Sequence, residues 1–117
     1  MSGIDPSELY ACLRQNGVDL FTGVPDSLLQ PFAAYVQDQA PADKHVIVAN
    51  EGNAVGLALG YHISSDKCAA VYLQNSGLGN TVNPIASLAH PDVYSVPMLL
   101  IVGWRGEPGR PDEPQHV

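Results

Sequence analysis

Two short stretches of this chain carry the residue types from which chemistry is made. Asn50-Glu51-Gly52-Asn53 offers a carboxylate, and Gln74-Asn75-Ser76-Gly77-Leu78-Gly79-Asn80 offers amides, a hydroxyl and glycines. Each lies where an apolar, β-branched run gives way to a small-residue helical pattern. Both are therefore predicted at the carboxyl ends of strands, the edge at which open α/β sheets bind ligands. Glu51, among Ala49, Gly52, Ala54 and Val55, is a partly desolvated carboxyl suited to a hydrogen bond with a basic ring nitrogen. Its plainer reading is a carboxylate favoured by a helix dipole, worth about 0.3–1 kcal/mol. Asn75 to Asn80 reads either as a turn with Asn80 as N-cap or as an amide cradle with Asn75 and Ser76 free to touch a ligand. As a phosphate loop it is incomplete, with no GxGxxG and no following Lys-Ser/Thr. Taken singly, Asp26 after Pro25 is a turn or cap residue, and Arg105 and His116 in a Gly/Pro-rich tail are solvated.

The elements that must position these residues follow from periodicity. Asp5-Pro6-Ser7-Glu8 is a helix start with the order of a capping box; Leu9, Leu13 and Cys12 supply the buried stripe and Gly17 the stop. Asp19 to Thr22 predicts a strand and Gly23 to Asp26 a turn. Asp26 or Ser27 would cap a second helix, with Leu28, Leu29, Phe32, Ala33 and Val36 at helical spacing. His45 to Ala49 is a continuous apolar run, expected of a strand in a sheet covered on both faces. Helices are predicted over 51–63 and 80–88, and strands over 69–73 and 98–102. Strands alternating with helices predict an α/β fold: an open parallel sheet with helices on both faces. The third helix carries Gly52, Gly56 and Gly60, each costing about 1 kcal/mol relative to alanine. Close approach of another backbone, within the chain or across an interface, would offset that cost. Beyond Gly103 the periodicity ends, and no helix follows the last strand. This predicts a single domain over residues 1–117 that is completed by further or partner sequence.

Composition narrows the function classes. The 117 residues suffice for one domain and one core, and a net charge of −7 argues against nucleic acid or an anionic membrane as partner. Charged residues make up only 15%, consistent with a surface covered by another protein. Cys12 and Cys68 form no CxxC pair, and His45, His62, His90 and His116 lack metal-ligand spacing. The expectation is buried free thiols, a cytoplasmic setting and no metal held by this chain. No apolar run reaches the roughly 20 residues of a membrane helix.

Taken together, the motifs resemble the pyrimidine-binding domain of thiamine diphosphate (ThDP)-dependent 2-oxoacid decarboxylases. The residues that carry the resemblance are Gly23-Val24-Pro25-Asp26-Ser27-Leu28-Leu29, Ala49-Asn50-Glu51-Gly52-Asn53-Ala54 and Gln74 through Pro84. Gly103-Trp104-Arg105-Gly106-Glu107-Pro108-Gly109 and Asp112 through Val117 complete them. Within that family the pattern is most like enzymes acting on phosphonopyruvate, with sulfopyruvate enzymes as the alternative. The resemblance implies that Glu51 hydrogen-bonds the aminopyrimidine ring nitrogen of ThDP. It also implies that Asn75, Ser76, Gly77 and Leu78 lie near the pyrimidine, and that Asp26 and His116 serve catalysis and contact a small anionic 2-oxoacid. Arg105 is a candidate partner for a phosphonate. Gln115 stands where related enzymes carry a second histidine, which implies an altered proton relay. The family holds the diphosphate and Mg²⁺ on a second domain, commonly from another subunit, whose Gly-Asp-Gly…Asn motif is not found here. A diphosphate-binding β subunit or domain is therefore implied as partner, in a homo- or hetero-oligomer, with glycines 52, 56 and 60 at the subunit contact. A non-catalytic α/β binding or assembly module is the reading from another class.

Overall fold

In the computed structural model of the chain, which describes residues 3–116, the first helix begins at a side-chain cap. The Asp5 carboxylate accepts from the Ser7 backbone N–H at 2.8 Å, and Pro6 opens α1 (Pro6–Gln15). The chain leaves α1 through Gly17, whose φ of +86° suits a residue without a Cβ. Leu13 is buried as expected, but Cys12 is exposed, and Tyr10 joins Leu9 against the core in its place. Cys12 is thus not the buried thiol that the sequence suggests.

Four parallel strands follow: β1 (Val18–Gly23), β2 (His45–Ile47), β3 (Cys68–Gln74) and β4 (Leu99–Gly103), in the spatial order β2-β1-β3-β4. The helices α2 (Gln30–Gln39) and α3 (Glu51–Ser65) connect the first three strands. Alternate residues of β3 divide between two cores. Ala69, Val71 and Leu73 meet Ala54, Val55, Ala58 and Leu59 of α3, whereas Ala70 meets Leu13 of α1 and Phe32 and Val36 of α2. This is the open parallel α/β sheet, covered on both faces, that the alternation of patterns predicts. Because β1 is flanked by β2 on one side and β3 on the other, the strand order reverses between β1 and β3, the position at whose carboxyl ends open α/β sheets bind ligands.

Several boundaries differ from the sequence expectation, each for a local reason. The second helix starts at Gln30, not at Asp26 or Ser27, because Pro31 lacks an N–H and is tolerated only in a first turn. Neither Asp26 nor Ser27 caps it with a side chain. The helix predicted over 80–88 is broken for the same reason. Pro84 limits the α-helical turn to Val82–Pro84, between a 3₁₀ segment, Asn75–Thr81, and a π segment, Ile85–Ala89. The apolar run at 45–49 forms a three-residue edge strand with Ile47 57% exposed. A continuous apolar run does not distinguish an edge strand from a central one. Of the α3 glycines, only Gly52 is closely approached, with Asn80's backbone oxygen 2.9 Å from where a Cβ would sit; Gly56 and Gly60 face open space within the chain.

At the opposite end of the sheet, Asp19 on β1 gathers three of the chain's five basic residues. Tyr61 donates its hydroxyl to the carboxylate, Arg14 binds at 2.6 Å, and Lys44 and Lys67 each stand at 3.7 Å. The Tyr61 bond first, then Arg14, Lys67 and Lys44, hold the Asp19 carboxyl down at about 2 from its ordinary 3.8. A carboxyl depressed in the folded state stabilises the fold above its unfolded value and stops doing so as the pH falls through the folded one. Asp19→Asn should therefore cost about 1–3 kcal/mol at neutral pH in urea titrations followed by circular dichroism. The gap to wild type should shrink as the pH falls from 3.8 through about 2.

Candidate active site

Glu51 is the first residue of α3, behind Asn50, whose side chain caps the helix by accepting from the Gly52 N–H at 2.8 Å. The carboxyl of Glu51 turns toward the 3₁₀ segment that follows β3. There Asn80 donates its side-chain amide to Oε2 at 2.8 Å. Gly77 is buried against the same carboxyl, and a Cβ on it would collide with Oε1. The two stretches singled out from the sequence thus meet, although Asn80 acts as a partner of Glu51 and not as a helix cap.

Asp26 lies past the end of β1. It is 7% exposed, and neither carboxyl oxygen has a hydrogen-bond partner among the described residues. Its Oδ2 occupies the volume that a side chain at Gly103, the last residue of β4, would need. A buried polar group without a partner is costly, so an orphaned carboxyl at the ligand-binding edge marks a place where a bound group would be met.

Arg105 and His116, which composition alone would leave in solvent, are held down with side chains 19% and 16% exposed. Arg105 donates Nη1 to Ser27 Oγ at 2.8 Å and Nη2 to Asp112 Oδ1 at 3.0 Å, while its Nε is buried and unpartnered among the described residues. Asp112 also accepts from the backbone N–H groups of Gly106 at 2.9 Å and Glu113 at 2.7 Å, and pairs with His116 Nδ1 at 3.0 Å. These contacts, the Gly106 bond foremost, hold the Asp112 carboxyl well below the usual carboxylate range. His116 Nε2 lies 3.0 Å from Gln74 Nε2 at the end of β3. Asn75 binds the Arg105 backbone from both sides, donating to its carbonyl at 2.9 Å and accepting from its N–H at 3.1 Å. Ser76 and Leu78 are exposed on the loop between Asn75 and Asn80.

Asp26, Arg105 and His116 are therefore gathered around one end of the β1–β3–β4 edge, and Glu51 with Gly77 around the other, with loop 74–81 shared by both. A cleft of about 440 Å³ lies beside the Asp26–Ser27 turn and reaches Gln37, His45 and Tyr72, and a second, of about 400 Å³, is lined by Leu28, Arg105 and Asp112. In the first cleft the Tyr72 hydroxyl lies 2.7 Å from His45 Nε2, and His45 Nδ1 lies 2.7 Å from Gln37 Oε1. Burial pushes Tyr72 up to about 12 and lowers His45, so both stay neutral at pH 7. The sequence offered Asn80 only as a cap and missed Asp112 and the Tyr72–His45–Gln37 contacts, because all of these depend on partners brought together by the fold.

The residues present suit the pyrimidine end of ThDP: a carboxyl set against a glycine, an orphaned acid and a histidine on one edge. The chain matches the family described as thiamine pyrophosphate enzyme, N-terminal TPP binding domain, over residues 7–117. It is 42% identical over 113 residues to a phosphonopyruvate decarboxylase of Streptomyces viridochromogenes, covering 97% of this chain and 28% of that protein. It is 40% identical over 107 residues to a sulfopyruvate decarboxylase subunit alpha of Methanothermobacter thermautotrophicus, covering 91% of this chain and 62% of that subunit. The chain thus spans about a quarter of the first relative's length and under two thirds of the second's. In fold it is similar to benzoylformate decarboxylase from Polynucleobacter necessarius, with a TM-score of 0.70 at 23% identity over 89% of this chain and 19% of that one. This chain belongs to the thiamine pyrophosphate enzymes and is an N-terminal, TPP-binding domain of that family.

Proposed function

We propose that this chain is the pyrimidine-binding part of a decarboxylase that converts 3-phosphonopyruvate to phosphonoacetaldehyde and carbon dioxide. The observation that carries the reading is the Glu51 carboxyl, set at the start of α3 against Gly77, whose lack of a side chain makes room for it at the ligand edge of the sheet. Glu51 would hold the aminopyrimidine ring nitrogen, with Asn75, Ser76, Gly77 and Leu78 bounding the ring. When bound, the cofactor supplies a thiazolium that takes up the electron pair released as carbon dioxide leaves. The chain's own part is to bind, orient and move protons. Asp26, with two free carboxyl oxygens and little water, exchanges a proton with the reacting carbon's substituents. His116, whose Nδ1 is engaged by Asp112, takes up and releases a proton at Nε2. Arg105, oriented by Ser27 and Asp112, turns its remaining Nη hydrogens to the substrate's second anionic group.

The diphosphate and Mg²⁺ are assigned to a separate domain or β subunit, in a cytoplasmic oligomer. Two features support a partner: the relatives extend well beyond this chain, and at Gly56 and Gly60 no described residue lies within 4 Å of where a Cβ would sit. A second reading, sulfopyruvate decarboxylase, is favoured by the 40% identity to an α subunit, and steady-state rates with the two anionic substrates separate the readings.

Carbon dioxide release from phosphonopyruvate, with ThDP and Mg²⁺, is expected only when the diphosphate-binding partner is present. In that assembly Glu51→Gln should lower turnover by about 10²–10⁴-fold while leaving association intact; an unaffected rate would favour the assembly module. Arg105→Lys should lower kcat/KM for phosphonopyruvate by about 10–100-fold, and full retention would remove Arg105 from the substrate site. Gly56→Leu meets open space within the chain, so its unfolding free energy should stay within about 1 kcal/mol of wild type. Its association with the partner, read by sedimentation, should weaken by about tenfold or more.

A further inference from the structure

Asp112 belongs to none of the roles drawn from the sequence, yet it makes the densest set of polar contacts at this edge. It accepts from two backbone N–H groups, from Arg105 and from His116, and its side chain is only 11% exposed. We infer that Asp112 is a positioning residue that fixes the ring of His116 in the Nδ1–H tautomer and so reserves Nε2 as the proton-accepting atom. The inference deepens the role proposed for His116 and rests on that reading for its use in catalysis.

The contact with Asp112 sets the tautomer, and the contact with Gln74 conforms to it. A carboxylate can only accept, so the contact of Asp112 Oδ1 with His116 Nδ1 at 3.0 Å requires the hydrogen on Nδ1. Gln74 Nε2, 3.0 Å from His116 Nε2, then donates to the lone pair left there, and because its amide can turn to follow the ring, the form is fixed by Asp112. The ring thus bridges an acid and an amide, with Nε2 turned to the end of β3. Gln74 occupies that lone pair until another proton donor displaces it. The Arg105 guanidinium lies on the same carboxyl oxygen, which favours the ionised state of Asp112 and leaves the histidine proton on the ring. A carboxylate that orients a histidine without taking its proton is the arrangement by which such rings are poised for transfer.

The test is ring-nitrogen NMR of histidine-labelled full-length protein, with His116 assigned through His116→Gln. The wild type should give a single Nδ1–H form. Asp112→Asn should shift His116 to a mixture dominated by Nε2–H, the form that unconstrained imidazoles favour, with the signals of His45 unmoved. An Nε2–H form in the wild type, or an unchanged His116 in Asp112→Asn, overturns the inference. The wild-type spectrum decides even where the variant folds poorly. The catalytic reading is judged separately: full carbon dioxide release by His116→Gln would end that reading without altering the tautomer measured.

Discussion

At the carboxyl edge of the sheet, two acids occupy space that a single methyl group on a neighbouring glycine would fill. Glu51 lies against Gly77 and Asp26 against Gly103. Much of the local structure follows from that crowding. The segment after β3 must turn as 3₁₀ helix, Asn75–Thr81, to bring Gly77 under the carboxyl and Asn80 within hydrogen-bond reach of it. The chain leaving β4 must pass the Asp26 side chain with bare backbone. Side chains larger than hydrogen at 77 or 103 would push the acids out of the crevice or the loops away from the sheet, and in both cases the edge would lose its shape.

Charge is arranged with similar economy. A chain of net charge −7 carries few cations, and the described structure commits most of them: Arg14, Lys44 and Lys67 around Asp19 at one end of the sheet, Arg105 at the other. The first cluster ties α1, β1 and α3 together far from the ligand edge. The second ties the tail to the turn after β1, through Ser27, and to itself, through Asp112. One end of the sheet is thus fastened for stability, while the other holds an acid with no partner and a guanidinium with donors to spare among the described residues. Such a division is typical of α/β folds, whose ligand chemistry sits at the carboxyl ends of strands.

How much of this was legible depended on distance along the chain. The strand-to-helix junctions at Glu51 and Asn75 could be read because local composition changes abruptly there, and they proved to face each other. Asn80 was misread as a cap because its partner, Glu51, is 29 residues away, and a capping preference is the only local signal an asparagine gives. The start of α2 and the break near Pro84 were available in principle, since a proline allows only a first turn before it, but apolar periodicity outweighed that signal. The tail was the least legible. Its order comes from Asp112 binding two of its own backbone amides and two side chains, a pattern without any period in the sequence.

Asn75 carries a consequence of its own. The β3–β4 ladder ends at the pair Gln74 and Gly103, and one step further the Asn75 side chain binds the Arg105 backbone through both its donor and its acceptor. An amide side chain here imitates a peptide group and adds one more rung to a sheet whose strands have already diverged. Aspartate could not replace it, because a second acceptor would face the Arg105 carbonyl. The same amide keeps one hydrogen and one lone pair unengaged by that rung. Any molecule that uses them is aligned by the hydrogen-bond lattice of the sheet itself, so its position in the crevice inherits the rigidity of the core.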